Sequence, residues 1–450
     1  MTTVSIPENP GKKIRDSVPR TSQGNFKLSD NRPSILEAIK ASNSGRVKEL
    51  IPIRVARMSV SPFTFYRGTA DIMARDLALM PHTETKVQAM GDCHLMNFGG
   101  FATPERNLIF DANDFDETLP APWEWDVKRL ATSFVLAARN NKMKEADARQ
   151  MAIDVATSYR NAITEYSQMN TLDLWYMKFE MHDLLNKARS EKVREMLRAA
   201  MDKAEKSTLQ KEFYKTTQKV LGTYEITDQP PLVYHTSELT KRKDLMQNFL
   251  NDYIKTLQDD RKFLMHQYHL VDIALKVVGV GSVGTRCMVA LFMNDKNNPL
   301  FLQIKEARAS VLEAYTNKCK YKHNGERVVQ GQRLVQAASD IFLGWSADDE
   351  GHHYYIRQLR DRKIAPDVEH FDKEILAAYA GLCGKVLARA HAKTGPGALI
   401  SGYLGKADVM DEAIGKFAVA YADQTEKDYE DFMKAIKAGK LPIEKTKNGE

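Results

Sequence analysis

A chain of 450 residues, 43% of them hydrophobic, can bury one large core or two of medium size. Its 65 Lys and Arg against 59 Asp and Glu leave a net charge of +6, but the signs are interspersed, so a mixed solvated surface is expected and no nucleic-acid stripe is evident. Cys93, Cys287, Cys319 and Cys383 form no C-x-x-C pair, which argues against a zinc or disulfide framework, and neither a leader nor an apolar run of about eighteen residues is found, so a cytoplasmic protein without membrane contact is expected.

Residues 1–33 are polar, hold four prolines and lack periodicity, and read as a flexible or draping arm. A helix is expected around 35–55. A strand over 86–90 then enters Met90-Gly-Asp-Cys-His-Leu-Met-Asn97, and a hairpin (98–101 with 108–111) delivers Asn113-Asp-Phe-Asp-Glu117. Pro120 and Pro122 break the chain before a helix whose apolar face is Val127, Leu130, Ala131, Phe134, Val135 and Ala138. Further helices are expected at 144–169, 172–187, 190–219 and 238–258, with a linker over 222–233 around Pro230 and Pro231. A strand-rich block over 268–305 follows, then helices near 308–319 and 326–338. A strand over 354–359, helices over 371–393 and 408–436 and a polar tail complete the chain.

The chemistry concentrates in two places. Asp92 and Asn97 are five residues apart, and Asp114 lies seventeen beyond Asn97. Phosphoryl transfer uses such a set: one Asp orients or deprotonates the attacking hydroxyl, an Asn on the same loop holds a metal, and a later Asp holds metal against nucleotide phosphates. Asp92 is the expected catalytic carboxylate, with Asn97 beside it; Asn97 and Asp114 are the expected magnesium ligands. Asp116 either joins them or caps the next turn, and His94 is either a metal ligand or a brace for its loop. Arg67 and Arg129 either bind phosphate or support Asp92 by ion pairing. An Asp and an Asn after a strand are also common turn residues, so the joint spacing carries the reading.

The second place is Gly279-Val-Gly-Ser-Val-Gly284. A dinucleotide-binding glycine loop must open a helix, but here a strand-forming run, the turn Asn294–Pro299 and a second apolar run leading to Lys305 follow. Gly279, Gly281, Ser282 and Gly284 are therefore expected over ATP phosphates, with Lys305 on the α and β oxygens. The carboxylate paired with Lys305 is expected to be Glu326, or else Glu313. In an ordinary protein kinase the glycine loop and lysine come first; here they follow the Asp92 loop by almost two hundred residues, as in a circular permutation.

The phrases Ser61–Gly68, Gly91–Gly99, Asn113–Glu117, Pro122–Leu130, Arg327–Arg333, Arg357–Arg360 and Leu387–His391 resemble a bacterial family catalogued as domain of unknown function 2252, grouped with the protein-kinase-like superfamily. The loop Gly91-Asp-Cys-His-Leu-Met-Asn97 is similar to the His-Gly-Asp-x-His-x-x-Asn loop of aminoglycoside and choline phosphotransferases, with Met90 in the place of the leading His. The resemblance implies a two-lobed α+β kinase-like fold in permuted order. Residues 34–265 would form a helical catalytic lobe, 266–362 a small antiparallel-sheet lobe, and 363–450 would return to the helical lobe before the tail. It implies ATP and Mg2+ as cofactors, Gln358 at an interlobe hinge holding the adenine, and Asp126 bracing the Asp92 loop as well as capping its helix. The expected reaction moves the γ-phosphoryl to a hydroxyl of a small-molecule acceptor; the alternatives are a nucleotide-binding scaffold and AMP transfer on the same fold. A binuclear phosphoesterase, which also uses Gly-Asp-x-His, needs further Asp-x-His and Gly-Asn-His clusters that this chain lacks.

Overall fold

Strand-forming residues with both parities apolar build the centre of the sheet. In the computed structural model, which describes residues 10–207, 209–220, 222–236 and 243–444, the protein is α+β with antiparallel sheets. The first strands are β1 (Lys86–Ala89), β2 (Phe98–Ala102), β3 (Leu108–Ala112) and β4 (Leu119–Pro122). Next come β5 (Thr217–Val220), β6 (Thr223–Ile226), β7 (Val233–Tyr234), β8 (Tyr268–Lys276), β9 (Cys287–Asn294) and β10 (Pro299–Glu306). The last are β11 (Gly344–Ala347), β12 (His353–Gln358) and β13 (Lys363–Ile364).

The main sheet has the order β11-β12-β10-β9-β8-β7. Along β9, Met288, Ala290 and Phe292 face the helices Lys243–Lys255 and Asp259–Met265, together with Leu300, Leu302 and Ile304 of β10. The alternate residues Val289, Leu291 and Met293 are covered with Phe301 by Phe213, Tyr224 and Ile226. Burial on both faces accounts for the unbroken apolar run. Only toward the end of β10 does one parity turn polar, at Gln303 and Lys305, and there the sheet faces the helical part of the molecule.

That helical part packs Trp123–Asn140, Glu145–Tyr166, Lys373–Thr394 and Val409–Lys437 into the largest core, with the pairs β1-β4 and β2-β3 at its edge. The arm over 10–33 lies across it: Arg15 donates to the carbonyls of Tyr403 and Gly402, and Arg32 bridges Asp76 (2.9 Å) and Asp428 (2.6 Å). Residues 1–9 and 445–450, and 238–242 of the expected helix 238–258, lie outside the described residues. No helix among the described residues is long and apolar enough to cross a membrane, and all four cysteines are free.

Several elements differ from expectation. The helix expected over 35–55 is two, Ile35–Ser42 and Ile51–Met58, interrupted at Gly45, whose φ of +73° no helix accommodates. The region 172–187 divides into Thr171–Tyr176 and Met181–Lys187, because Glu180 between them bridges to Ile109 of β3. The helix expected over 190–219 is two, Glu191–Lys206, ending at the extended Ser207, and Leu209–Thr216, which gives way to β5, and the expected linker over 222–233 holds β6 and β7; Thr217, Val220, Thr223, Tyr224 and Ile226 are strand formers with an apolar sheet to cover. The helix expected near 308–319 is a single 3₁₀ turn, Val311–Ala314. Ser310 accepts from Leu312 N and the Glu117 carboxylate from Val311 N, so side chains take the amides a helix would have needed.

Candidate active site

The Asp92 loop is held from below by buried side chains. Strand β1 ends at Ala89, and the amides of Met90 and Gly91 both donate to the Asp126 carboxylate, at 2.7 and 3.0 Å. Asp126 also meets His391 Nε2 at 3.3 Å, and Tyr159 meets the other ring nitrogen at 2.8 Å. Gly91 turns the chain at φ +80°; a Cβ there would sit 2.5 Å from the Glu117 carbonyl oxygen, so only glycine fits. The helix Lys373–Thr394 lies against the loop, with Tyr379 donating to the carbonyls of Leu95 and Phe98.

These braces leave Asp92 at the rim. Arg129, fully buried and stacked over Tyr66, donates Nε to Asp92 Oδ1 at 2.7 Å, while Nη2 lies 2.5 Å from the same oxygen. Support of Asp92 is therefore the role of Arg129. Asn97 gives its Nδ2 hydrogen to the Asp92 carbonyl at 2.7 Å, and its amide oxygen accepts no hydrogen bond among the described residues. The His94 ring nitrogen Nε2 is 3.8 Å from Asp92 Oδ2, and burial pushes its pKa down to about 3 against the pull of Asp92, so the ring is neutral.

Asp114 and Asp116 follow on the turn after β3. Lys305 reaches them from the sheet, 2.9 Å from Asp116 Oδ2 and 3.8 Å from Asp114 Oδ1, and the register sets it opposite Tyr355, whose hydroxyl donates to Asp116 Oδ1 at 2.7 Å. Burial raises the Asp114 pKa and the negative charge of Asp116 raises it further. Burial also raises that of Asp116, but Lys305 and its hydrogen bond outweigh it and the net direction is down. The partners expected for Lys305, Glu326 or Glu313, are not the ones it takes. Glu326 lies in the first turn of the helix Asn324–Val335, with His323 as its cap, and Glu313 accepts from Cys319 N, so neither pairs with Lys305.

The glycine loop between β8 and β9 folds toward the same carboxylates. Ser282 Oγ donates to Asp116 Oδ2 at 3.3 Å. The carbonyls of Gly279, Val283 and Gly284 are taken by Arg57, Arg46 and Val47 N, and Gly281 passes over the Arg67 carbonyl. The amides of Val280, Gly281 and Ser282 donate to no acceptor among the described residues. Gln358 is placed differently: its amide, expected to meet adenine, donates to Asp340 Oδ2 at 2.6 Å. Near it Arg357 bonds Gln303 and the Asn113 carbonyl, and Arg360 bonds Asn113 Oδ1 and lies 3.7 Å over the Phe101 ring.

Three participants went unnoticed in the sequence. Tyr355 is one; its signal is the two-residue period that sets it and Arg357 on the Lys305 face of the sheet. Arg327 is another, donating to the carbonyls of Asp116, Thr118 and Arg308. Glu117 is the third, with burial raising its pKa to about 7 against the charge of Arg327. Among the described residues no three Cys, His, Asp or Glu converge on one metal point; Asp114 and Asp116 share Lys305, and Asn97 lies on the Asp92 loop.

A family model, described as an uncharacterized protein conserved in bacteria (DUF2252), matches residues 46–435. The chain belongs to DUF2252. The match takes in the Asp92 loop, the Asp114–Asp116 turn, the glycine loop and Lys305. No curated protein and no solved structure matches the chain.

Proposed function

We propose that this DUF2252 member is an ATP-dependent phosphotransferase of kinase-like, circularly permuted fold, which moves the γ-phosphoryl group to a hydroxyl of a small-molecule acceptor. One observation carries the reading: Lys305, from the sheet, ion-pairs with Asp114 and Asp116, from the helical part, beside the Asp92 carboxylate. The chain between these groups supports it. The glycine loop joins the first two long strands, the lysine lies on the next, and a helix follows before β11. Residues 266–362 would then be the small lobe and the rest the large one.

In this reading the free amides of Val280–Ser282 receive phosphate oxygens and Lys305 exchanges its carboxylates for the α and β oxygens. Asp114, Asp116 and the Asn97 oxygen are hard donors suited to Mg2+. Bound there, the ion would neutralise charge developing on the transferred group. Asp92 Oδ1 is committed to Arg129, which leaves Oδ2 for the acceptor hydroxyl. Held in this way, Asp92 is suited to orienting the hydroxyl and taking its proton late.

Titration with ATP, with and without magnesium, is the decisive measurement; absence of nucleotide binding removes the proposal. Lys305→Ala and Asp114→Ala should each weaken binding at least about tenfold, the scale of one lost charge-assisted contact, whereas Asp92→Asn should spare binding and abolish turnover. A second reading, AMP transfer, is favoured by Arg357 and Arg360 near Gln358, where cations suit phosphate better than a purine. Release of pyrophosphate in place of ADP would select it.

A further inference from the structure

A cavity of about 270 Å3 lies where the chain crosses from β12 to β13, and so from the main sheet to the strand pairs at the edge of the helical part. Its apolar wall is Leu264, Tyr268, Leu300 and Phe342 on the sheet side and Phe101 of β2 on the other. Leu300 faces away from Gln303 and Lys305, and none of Lys305, Asp114, Asp116 or the glycine loop lines the cavity, so it is separate from the cleft that holds them. Its volume falls at the small end for ligand pockets, which begin at about 300 Å3, and suits a single substituted ring.

The charges on its wall do not balance. Arg106 and Asp361 neutralise each other, Nη2 meeting Oδ2 at 2.5 Å. Asp340 is engaged by the backbone: its two oxygens accept from Phe342 N at 2.8 Å and Gln358 N at 2.6 Å. Arg360 and Arg362 remain. Arg360 lies 3.7 Å over the Phe101 ring and donates Nη1 to the neutral Asn113 amide, while Arg362 Nε has no acceptor. Among the described residues no carboxylate oxygen comes within 4.0 Å of either guanidinium. Burial and the neighbouring Arg357 push the Arg360 pKa down to about 9, the mark of a cation short of counter-charge.

Two cations without carboxylate partners on the wall of an apolar cavity call for an anion with an apolar body. We propose that this cavity binds a small aromatic carboxylate, its ring among Phe101, Leu300 and Phe342 and its carboxylate on Arg360 and Arg362. The guanidinium fork matches the two oxygens of a carboxylate, and the ring adds stacking area. A ligand so placed touches the sheet and the helical part at once. The site does not depend on the phosphotransfer reading.

The test uses the intact protein with 4-bromobenzoate, its uncharged counterpart 4-bromobenzamide, and inorganic phosphate as an anion without a ring. Calorimetry should show saturable binding of the benzoate, at least about tenfold tighter than the benzamide, and no displacement by excess phosphate. In crystals the bromine should appear by anomalous scattering between Phe101 and Leu300. Arg362→Gln should weaken binding at least about tenfold, and Arg362→Lys, which keeps the charge, should recover part of the loss. No binding, equal affinity for the benzamide, displacement by phosphate, bromine located elsewhere, or indifference to Arg362→Gln overturns the proposal; the wild-type crystals decide it even where that variant does not fold. Magnesium with ATP should not compete with the benzoate. Competition would assign the cavity to the nucleotide and overturn the carboxylate site, whereas benzoate binding in a protein that takes up no nucleotide would leave it standing alone.

Discussion

Lys305 is the cation between Asp114 and Asp116, and removing it exposes their repulsion. Lys305→Met should therefore destabilise the fold by about 3–5 kcal/mol, as for other broken buried pairs, read from urea unfolding. The same variant should bind Mn2+ in the absence of nucleotide more tightly than the wild type, because two unneutralised carboxylates remain; equal or weaker binding would count against a metal role for this pair. Glu117 gives a pH signature. Its folded pKa is raised to about 7 from 4.5, so between these values the unfolded state has lost a proton that the folded state keeps. Stability contributed by the protonated group is present below pH 4.5 and is lost as pH rises through 7, by on the order of 3 kcal/mol. Glu117→Gln, which can still accept from Val311 N, should flatten that slope in unfolding measured from pH 4.5 to 8. The grouping of Asp92, Asn97 and Asp114 was legible because it follows from spacing along one stretch of chain. Glu117, Arg327 and Tyr355 were not, because each acquires its role from a partner across the fold, such as Val311, Thr118 or Asp116. The misplaced lysine partner is the same failure: a glutamate at a helix start is visible in sequence, but the direction a lysine takes from its strand is set by the facing layer.

At the scale of elements, the Asp92 loop is a strand end turned by Gly91 and held by Asp126. Gly91→Ala places a Cβ 2.5 Å from a backbone oxygen at a positive φ. It should cost at least about 1–3 kcal/mol, read from urea unfolding, and displace Asp92, so under the proposed phosphotransfer turnover should fall more than nucleotide affinity does. The helices Trp123–Asn140, Glu145–Tyr166, Lys373–Thr394 and Val409–Lys437 lie close to where they were expected, since each buries a continuous face, and the block 268–305 holds β8–β10. Short or capped pieces did not: the turn Val311–Ala314 and the hairpin β5-β6 are decided by Glu117 and by the sheet they cover, neither of which is local. His391 also holds this loop, through Asp126. That residue reaches Asp126 from another helix and is invisible to a motif read along the chain.

Across the whole molecule, residues far apart in sequence close each other's sites. Arg32 joins Asp76 to Asp428, with Tyr421 donating to Asp76 as well, so the arm ties the start of the helical part to its last helix. Arg32→Met leaves two buried carboxylates facing one another and should lower stability by about 3–5 kcal/mol, with nucleotide affinity of the remaining folded protein unchanged. The support of the Asp92 loop by the helix Lys373–Thr394 has a consequence for biosynthesis. Tyr379, Arg389 and His391 complete the loop and the neighbouring strand β3, yet they are translated more than 250 residues after them. While the chain emerges from the ribosome, the apolar seat of that helix stays open, and the half-built protein presents aggregation-prone surface until the ninth tenth of its length has been made.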